Sequence, residues 1–338
     1  LVAVPGDMYQ AAQMLHPIYS SRGQTVYMAT YQEIYDEFGQ GVSDPGAVRS
    51  FVRWALDTWV QKPSALLLIG DGSSDPLGYN TGYETQAPIY FELPSGNCKE
   101  SFFTMVHQGA EFPELPVSRI PAGSVNELVI ALQKSYEMEI ASLPGPWENT
   151  VILAADDEWG KSKTESEHTE TCELLADSVL PRSLNVVKHY LIDYPWPPGT
   201  TGEGAHPEKP EAASDLIDLL NSGASSVSFF GHGSYDQMAS EKLMSSGMVS
   251  QMVNQPRYFL YNSFSCYNGE FSLPAGDCLA EVLLFHPEGG AAASISCTGI
   301  SFSTQNRNLS SSFLGNIYGD ARLPLTEAFW LSVVTLGD

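Results

Sequence analysis

The sequence predicts an α/β fold with mostly parallel sheets flanked by helices, divided into two subdomains. Apolar or β-prone runs alternate with segments of helical spacing through most of the chain, which is the pattern of repeated βα units. The segment 141–149 interrupts this alternation with two prolines and a glycine, as a linker does. We therefore expect an N-terminal α/β subdomain over residues 1–145 and a C-terminal one over residues 146–338.

The first half contains three predicted strands and three predicted helices. The strands are expected at 1–4, 25–29 and 65–69, and the helices at 8–21, 45–60 and 125–140. Asp44 and Pro45 provide an N-cap and a first-turn proline for the second helix. The run 65–69 is apolar throughout, as in a parallel strand buried on both faces. Residues 73–118, rich in Gly, Pro and aromatic residues, are predicted to form a long loop.

The second half continues the alternation and supplies the strands of a second sheet. Strands are expected at 151–155, 186–191, 227–230, 258–262 and 291–296, and helices at 168–180, 211–222 and 276–285. A loop rich in Pro and Gly is expected at 194–210. Parallel strands end at one edge of the sheet, and ligands bind in the crevice beyond those ends.

Composition and charge exclude several functions. Among 338 residues, 43% are hydrophobic, which is enough for one large or two modest cores. The chain has 16 Lys and Arg residues against 40 Asp and Glu, a formal charge of −24. Such a field repels nucleic acid and anionic membranes, so neither is an expected partner. It suits an extracellular setting or attraction of cationic substrates, although added solubility explains it equally well. No run reaches the length of a transmembrane helix, and residues 1–4 are expected to be a strand rather than a signal peptide.

Two apolar or β-prone runs stop abruptly at residues suited to nucleophilic catalysis. One is followed by Gly231-His232-Gly233, and the other by Ser265-Cys266 within a polar turn. Adjacent parallel strands would bring the imidazole and the thiol to one place, as a cysteine nucleophile with a histidine base requires. Taken separately, Gly-His-Gly is more often a plain turn, and a cysteine is more often a buried structural thiol.

Other candidate groups carry less specific signals. Asp156 and Asp157 follow the strand 151–155 at the same expected edge, where a carboxylate could hold the tautomer of a catalytic histidine; a solvated acidic loop is the equal alternative. The other histidines lack a strand-end position of this kind. Cys278 is expected within an apolar helix and Cys297 at a strand end, and both are assigned structural roles; Cys98 and Cys172 have no strand-end histidine nearby. The five cysteines show no zinc-binding spacing, and residues 70–76 match neither a P-loop nor an EF-hand.

At these residues the chain resembles the gingipain-like cysteine peptidases, peptidase family C25 in the caspase-like clan. The similar segments are 67–71, 115–120, 151–156 with a helix at His168, 230–234 and 265–271. Their order covers nearly the whole chain. The resemblance implies two caspase-like or Rossmann-like subdomains, the first non-catalytic and the second catalytic. It also implies a secreted or surface endopeptidase that acts on polypeptides.

The resemblance assigns roles to individual residues. Cys266 would be the nucleophile and His232 its acid and base, and the N–H groups of Gly233 and Cys266 would stabilise the oxyanion. Asp156 would orient the histidine. Glu165 would bind a basic P1 side chain of the substrate. Catalysis would need no cofactor, while acid-rich loops would hold structural calcium.

Two other functions use the same residues differently. A sortase-like transpeptidase of the family would transfer the thioester to an amine instead of water. A non-catalytic binding or scaffold member would need neither the thiol nor the imidazole, and the presence of both argues against it.

Overall fold

The computed structural model describes residues 1–80, 82, 85–93, 96–141, 144–157, 166–199 and 207–337. It confirms the predicted α/β fold with parallel sheets flanked by helices. The chain folds into two compact units. Unit 1 comprises Leu1–Ile140, Phe271–Gly276 and Leu323–Asp338, and unit 2 comprises Ala141–Glu270 and Asp277–Arg322. Two segments late in the chain thus group with unit 1, whereas the sequence-based division places them in the C-terminal subdomain.

Unit 1 contains a four-stranded parallel sheet. Its strands are β1 Val2–Val4, β2 Met28–Thr30, β3 Leu66–Ile69 and β4 Val117–Ile120, arranged in the order β2-β1-β3-β4. Strand β4 begins at residue 117, inside the predicted loop 73–118, so the last two residues of that loop prediction were wrong. The strand contains Arg119, whose buried guanidinium binds Glu100 and two main-chain oxygens. A charged residue at this position hid the strand pattern.

The helices of unit 1 are α1 Tyr9–Ala12, α2 Leu15–Ser20, α3 Tyr31–Phe38, α4 Pro45–Thr58, α5 Val125–Glu139 and a C-terminal helix Leu325–Leu336. The single predicted helix 8–21 is two short ones, since Pro17 lacks an N–H and its ring clashes with the carbonyl four residues earlier. The cap of α4 is as predicted, because Asp44 accepts a hydrogen bond from Gly46 N–H. Helix α3 was missed, although Thr30 and Glu33 form a capping box.

Unit 2 is built on a five-stranded parallel sheet. Its strands are β5 Thr150–Ala155, β6 Asn185–Tyr190, β7 Ser226–Phe230, β11 Phe259–Phe264 and β12 Ala291–Ser296, in the order β12-β11-β7-β5-β6. Three two-residue strands, β8 Gly233–Ser234, β9 Gln237–Met238 and β10 Met244–Ser245, form a small antiparallel sheet. All five residues of β7 are buried, as expected for a central strand covered on both faces.

The helices of unit 2 are α6 Glu167–Leu174, α7 Pro210–Ser222, α8 Leu279–Phe285 and α9 Ser303–Tyr318. A π-helical turn, Leu175–Val179, extends α6. Helix α9 was not predicted. Its buried positions include Asn306 and Ser310, so the buried face of this helix does not show as an apolar stripe in the sequence. Among the helices in the described residues, none has the length and hydropathy needed to span a membrane.

Candidate active site

The ends of three neighbouring strands of unit 2 lie level with one another. Ala155 of β5 pairs with Phe230 of β7, and Phe230 in turn pairs with Phe264 of β11. Asp156, His232 and Cys266 follow these strand ends by one or two residues. The structure therefore brings the three predicted side chains to one edge of the sheet, where the crevice of an open α/β sheet binds ligands.

Asp156 holds the main chain that carries His232. Its Oδ2 accepts a hydrogen bond of 2.9 Å from His232 N–H, and its Oδ1 accepts one of 2.9 Å from Asp157 N–H. The main-chain N–H of Asp156 donates to Phe230 O at 2.9 Å, which ties the two strand ends together. The side chain is almost completely buried. This contact orients the peptide group of the histidine.

The two glycines that flank His232 are required by close packing. A methyl group at Gly231 would lie 2.4 Å from Asp156 Cβ and 2.7 Å from Phe229 Cζ. One at Gly233 would lie 2.6 Å from Ser265 Oγ and 2.8 Å from Cys266 O. No side chain fits at these distances. Gly-His-Gly is therefore the segment that lets the histidine loop pack against Asp156 on one side and the cysteine loop on the other.

In the small antiparallel sheet, the N–H of Gly233, next to His232, does not donate to the neighbouring strand β9. Ala239 N–H donates to His232 O at 2.9 Å. In an antiparallel ladder, this bond makes the neighbouring residues Gly233 and Met238 a non-hydrogen-bonded pair. The N–H of Gly233 consequently points away from β9. This N–H is one of the two donors that the resemblance assigns to the oxyanion.

The thiol of Cys266 is held by a residue that the sequence analysis missed. Ser301 N–H donates to Cys266 Sγ at 3.4 Å, and the thiol lies 3.7 Å from Ser301 O. Asn306 of α9 fixes this serine, because its Nδ2 donates to Ser301 Oγ and to Phe264 O, both at 3.0 Å. Residue 301 carries no recognisable motif. Its role depends on the path of the chain after β12, which the local sequence does not reveal.

Cys297 occupies the next strand end. Ser296 of β12 pairs with Ser263 of β11, so Cys297 and Cys266 lie at the same edge. Both are half-buried thiols, whereas the other three cysteines are buried and all five are unpaired with one another. Burial and the nearby Cys266 raise the pKa of the Cys297 thiol, and burial raises the pKa of Cys98 to about 12.

His168 lies beside His232, although the sequence analysis gave it no role. The centroids of the two imidazole rings are 5.8 Å apart and their planes are nearly perpendicular. His168 belongs to α6, and its position next to the site depends on how that helix packs against the sheet. Glu165, the predicted P1-binding residue, lies outside the described residues.

A buried charged network lies behind Asp156. Carboxylate oxygens of Asp156, Asp157 and Glu241 lie within 4.8 Å of one another. Among the described residues, this cluster of acidic side chains is compact enough to hold a metal ion. Lys209 supplies a cation here, because its Nζ donates to Asp157 Oδ2 at 2.6 Å and to Leu191 O at 2.8 Å. The ammonium also lies 4.1 Å from the Trp196 ring centroid. Since a lysine ammonium already provides the counter-charge, this cluster does not fit the expected calcium.

The surroundings of Asp156 predict a pH dependence of stability. Burial raises the pKa of Asp156 to about 7, and the nearby Glu241 carboxylate adds to the rise, while the N–H donors of His232 and Asp157 oppose it. In an unfolded chain the same group titrates near pKa ~3.9. The folded state therefore binds a proton more tightly, so this stabilising contribution is complete below about pH 4 and is lost as pH rises through about 7.

We expect the variant Asp156→Asn to remove this dependence. Urea unfolding measured between pH 4 and pH 7 should give a flatter curve of unfolding free energy for the variant than for the unmodified chain. The variant should also be less stable overall, since an amide can accept only one of the two N–H groups that the carboxylate accepts. Parallel curves for the two proteins would contradict the assigned pKa.

Comparison with known proteins adds evidence independent of this geometry. A complex of the pro- and mature domains of Porphyromonas gingivalis RgpB matches with a TM-score of 0.75 and 16% identity, over 100% of this chain and 74% of that one. The Arg-specific cysteine proteinase gingipain R (RgpB) matches with a TM-score of 0.75 and 16% identity, over 98% and 71%. At this identity the two structures establish a shared fold. No curated protein sequence matches the chain.

The sequence as a whole identifies the family. The model described as Peptidase family C25 matches residues 1–337, which is nearly the full chain of 338 residues. The match includes both Gly231-His232-Gly233 and the Cys266 turn. The chain therefore belongs to peptidase family C25, the gingipain-like cysteine peptidases.

Proposed function

We propose that the chain is a cysteine endopeptidase that hydrolyses polypeptides through Cys266 and His232. The observation that carries the proposal is the register of β5, β7 and β11, which places Asp156, His232 and Cys266 at one sheet edge. Cys266 is half-buried, and Ser301 N–H donates to its sulfur. The thiolate is the nucleophilic form of a cysteine.

In the proposed reaction His232 accepts the proton of the Cys266 thiol, and the thiolate attacks the carbonyl carbon of the scissile peptide bond. The carbonyl oxygen becomes an oxyanion, which accepts hydrogen bonds from the N–H groups of Gly233 and Cys266. Collapse of this intermediate breaks the C–N bond, and His232 gives its proton to the leaving amine. Water, deprotonated by His232, then hydrolyses the thioester and restores the thiol.

Substrate preference and location are part of the proposal. The formal charge of −24 favours basic substrates through long-range attraction. One structural neighbour is described as Arg-specific, which agrees with Glu165 binding a basic P1 side chain. We propose an extracellular or surface location. Structural calcium remains an expectation for acidic loops other than the Asp156 cluster, and no step above depends on it.

Replacing Cys266 with alanine tests the proposal. In a positional-scanning peptide library with reductant and calcium, we expect cleavage by the unmodified chain, with a preference for Arg or Lys at P1, and none by Cys266→Ala. Cys297→Ala is the matched control, because it removes the other half-buried thiol of the same sheet edge and should retain cleavage.

Three results would argue against the proposal. Equal cleavage by Cys266→Ala would show that the thiol is not the nucleophile. Ligation of an added amine in place of hydrolysis would identify a transpeptidase that uses the same residues. Absence of Cys266-dependent chemistry under all these conditions would favour a non-catalytic member of the family.

A further inference from the structure

Asn268 is a buried side chain on which many hydrogen bonds converge. It is fully buried, two residues after Cys266. Its Oδ1 accepts from Tyr261 OH at 3.1 Å, Ser263 Oγ at 2.6 Å and Ser265 Oγ at 2.8 Å. All three hydroxyls belong to β11 or to the residue just before the cysteine. The acceptor half of the amide therefore fixes the segment that leads into Cys266.

The donor half of the same amide reaches the histidine loop. Asn268 Nδ2 donates to Ser234 O and, at 2.9 Å, to Gln237 O. These carbonyls lie in β8 and β9, the hairpin that begins immediately after His232. One planar amide thus links the strand end that carries the thiol to the hairpin that follows the imidazole.

The chemistry of the amide explains why this residue type is needed. Only a carboxamide offers an acceptor oxygen and two donor hydrogens in one plane. An aspartate has the same shape but would direct an oxygen at two carbonyl oxygens. In a site excluded from water, a polar network of this kind is strongly stabilising when every group is satisfied and costly when one is not. The two loops also pack without spare room at Gly233.

We propose that Asn268 is a positioning residue that sets the location of Cys266 relative to His232. It acts by joining the two loops. This inference rests on the proposed function, in which the imidazole activates the thiol. Because a displacement of about 1 Å at a reacting centre can lower the rate about 100-fold, the effect on catalysis should be large.

Asn254 provides a matched control in the same unit. It is also fully buried, its Nδ2 donates to Arg257 O at 2.9 Å and to Gly290 O at 3.0 Å, and its Oδ1 accepts from Gly290 N–H at 2.8 Å. It lies before β11 and β12 begin, at the opposite edge of the sheet. Asn254→Asp therefore removes the same kinds of hydrogen bond as Asn268→Asp without touching either catalytic loop.

The experiment compares the two variants in two assays. The first measures kcat and KM on a peptide that the unmodified chain cleaves. The second measures the rate at which iodoacetamide alkylates Cys266 as a function of pH, followed by peptide mass spectrometry. For Asn268→Asp we expect kcat to fall about 100-fold with KM changed only a few-fold, and alkylation at neutral pH to slow. For Asn254→Asp we expect lower thermal stability but unchanged kcat and alkylation.

The alkylation rate of Asn268→Asp should depend on pH in a way that loss of structure alone would not produce. When the introduced carboxyl of Asn268→Asp is protonated it can donate one hydrogen bond, so part of the lost alkylation rate, relative to the unmodified chain, should return as pH falls. Equal kcat and equal alkylation profiles for the two variants would overturn the proposal.

A milder variant covers the case in which Asn268→Asp does not fold. Ser263→Ala removes one donor to Asn268 Oδ1 and should lower kcat several-fold with KM unchanged; an unchanged kcat would overturn the proposal. The alkylation assay also separates this inference from the proposed function. If the unmodified chain cleaves no peptide, the proposed function fails, whereas alkylation of Cys266 still reports whether Asn268 sets the reactivity of the thiol.

Discussion

Replacing Lys209 with methionine is expected to lower the free energy of unfolding by about 3–5 kcal/mol. The ammonium of Lys209 is buried with Asp157 and lies in the cluster that also contains Asp156 and Glu241. Methionine fills a similar volume but leaves the buried Asp157 carboxylate without the ammonium that it binds. Desolvated charges that lose their partner are among the most destabilising changes in a folded protein. The network also supports the residue that holds His232, so we expect activity to fall with stability.

Urea unfolding at neutral pH measures this effect. Lys242→Met is the matched control, because Lys242 forms an ion pair of 2.6 Å with Glu208 at the surface, where both side chains are about half exposed. Solvent screens such pairs, so the control should change stability little. The loss in Lys209→Met should shrink at lower pH, as the neighbouring Asp156 carboxyl becomes protonated. Equal, small changes in the two variants would show that Lys209 does not neutralise the cluster.

Replacing Gly231 with alanine is expected to reduce peptide cleavage about 100-fold. The added methyl group would lie 2.4 Å from Asp156 Cβ and 2.7 Å from the Phe229 ring. Neither neighbour is the mobile end of a flexible chain, since Asp156 is held by two main-chain N–H groups. The main chain at Gly231 must therefore move, and His232 moves with it. We expect kcat to fall far more than KM rises.

Gly247→Ala is the control for this substitution. Gly247 is also in unit 2, and a methyl group there meets nothing within 4 Å, so activity should be unchanged. Gly233→Ala should resemble Gly231→Ala, because its methyl group would clash with the main chain of Cys266. If Gly231→Ala retains full kcat, then the close packing around the histidine loop is not needed for catalysis.

The buried parallel strands and the candidate dyad could be predicted from the sequence for a physical reason. Parallel strands that are buried on both faces consist of continuous apolar or β-prone runs, and residues 151–155 and 227–230 show this pattern. The polar residues that follow them mark the carboxyl ends of the strands. Since such ends share one edge, the sequence alone predicted that Asp156, His232 and Cys266 would lie together.

Helices with polar buried faces and strands with charged residues could not be predicted in this way. Asn306 of α9 is buried and donates to Phe264 O and Ser301 Oγ. Hydrophobic periodicity does not identify a polar residue as buried. Arg119 hid β4 for the same reason. In both cases a satisfied hydrogen-bonding group occupies a position where pattern analysis expects an apolar side chain.

The sequence was sufficient to predict the α/β class, the family and the residues of the proposed chemistry, because these predictions depend on local runs and short motifs. The supports of the site depend on groups far apart in the chain. Lys209 meets Asp157 across 52 positions, Ser301 meets Cys266 across 35, and Asn268 meets Ser234 across 34. Folding brings these partners together, and each buried polar group then requires a complement. That requirement exists only in the folded chain, and therefore no local sequence pattern predicts these partners.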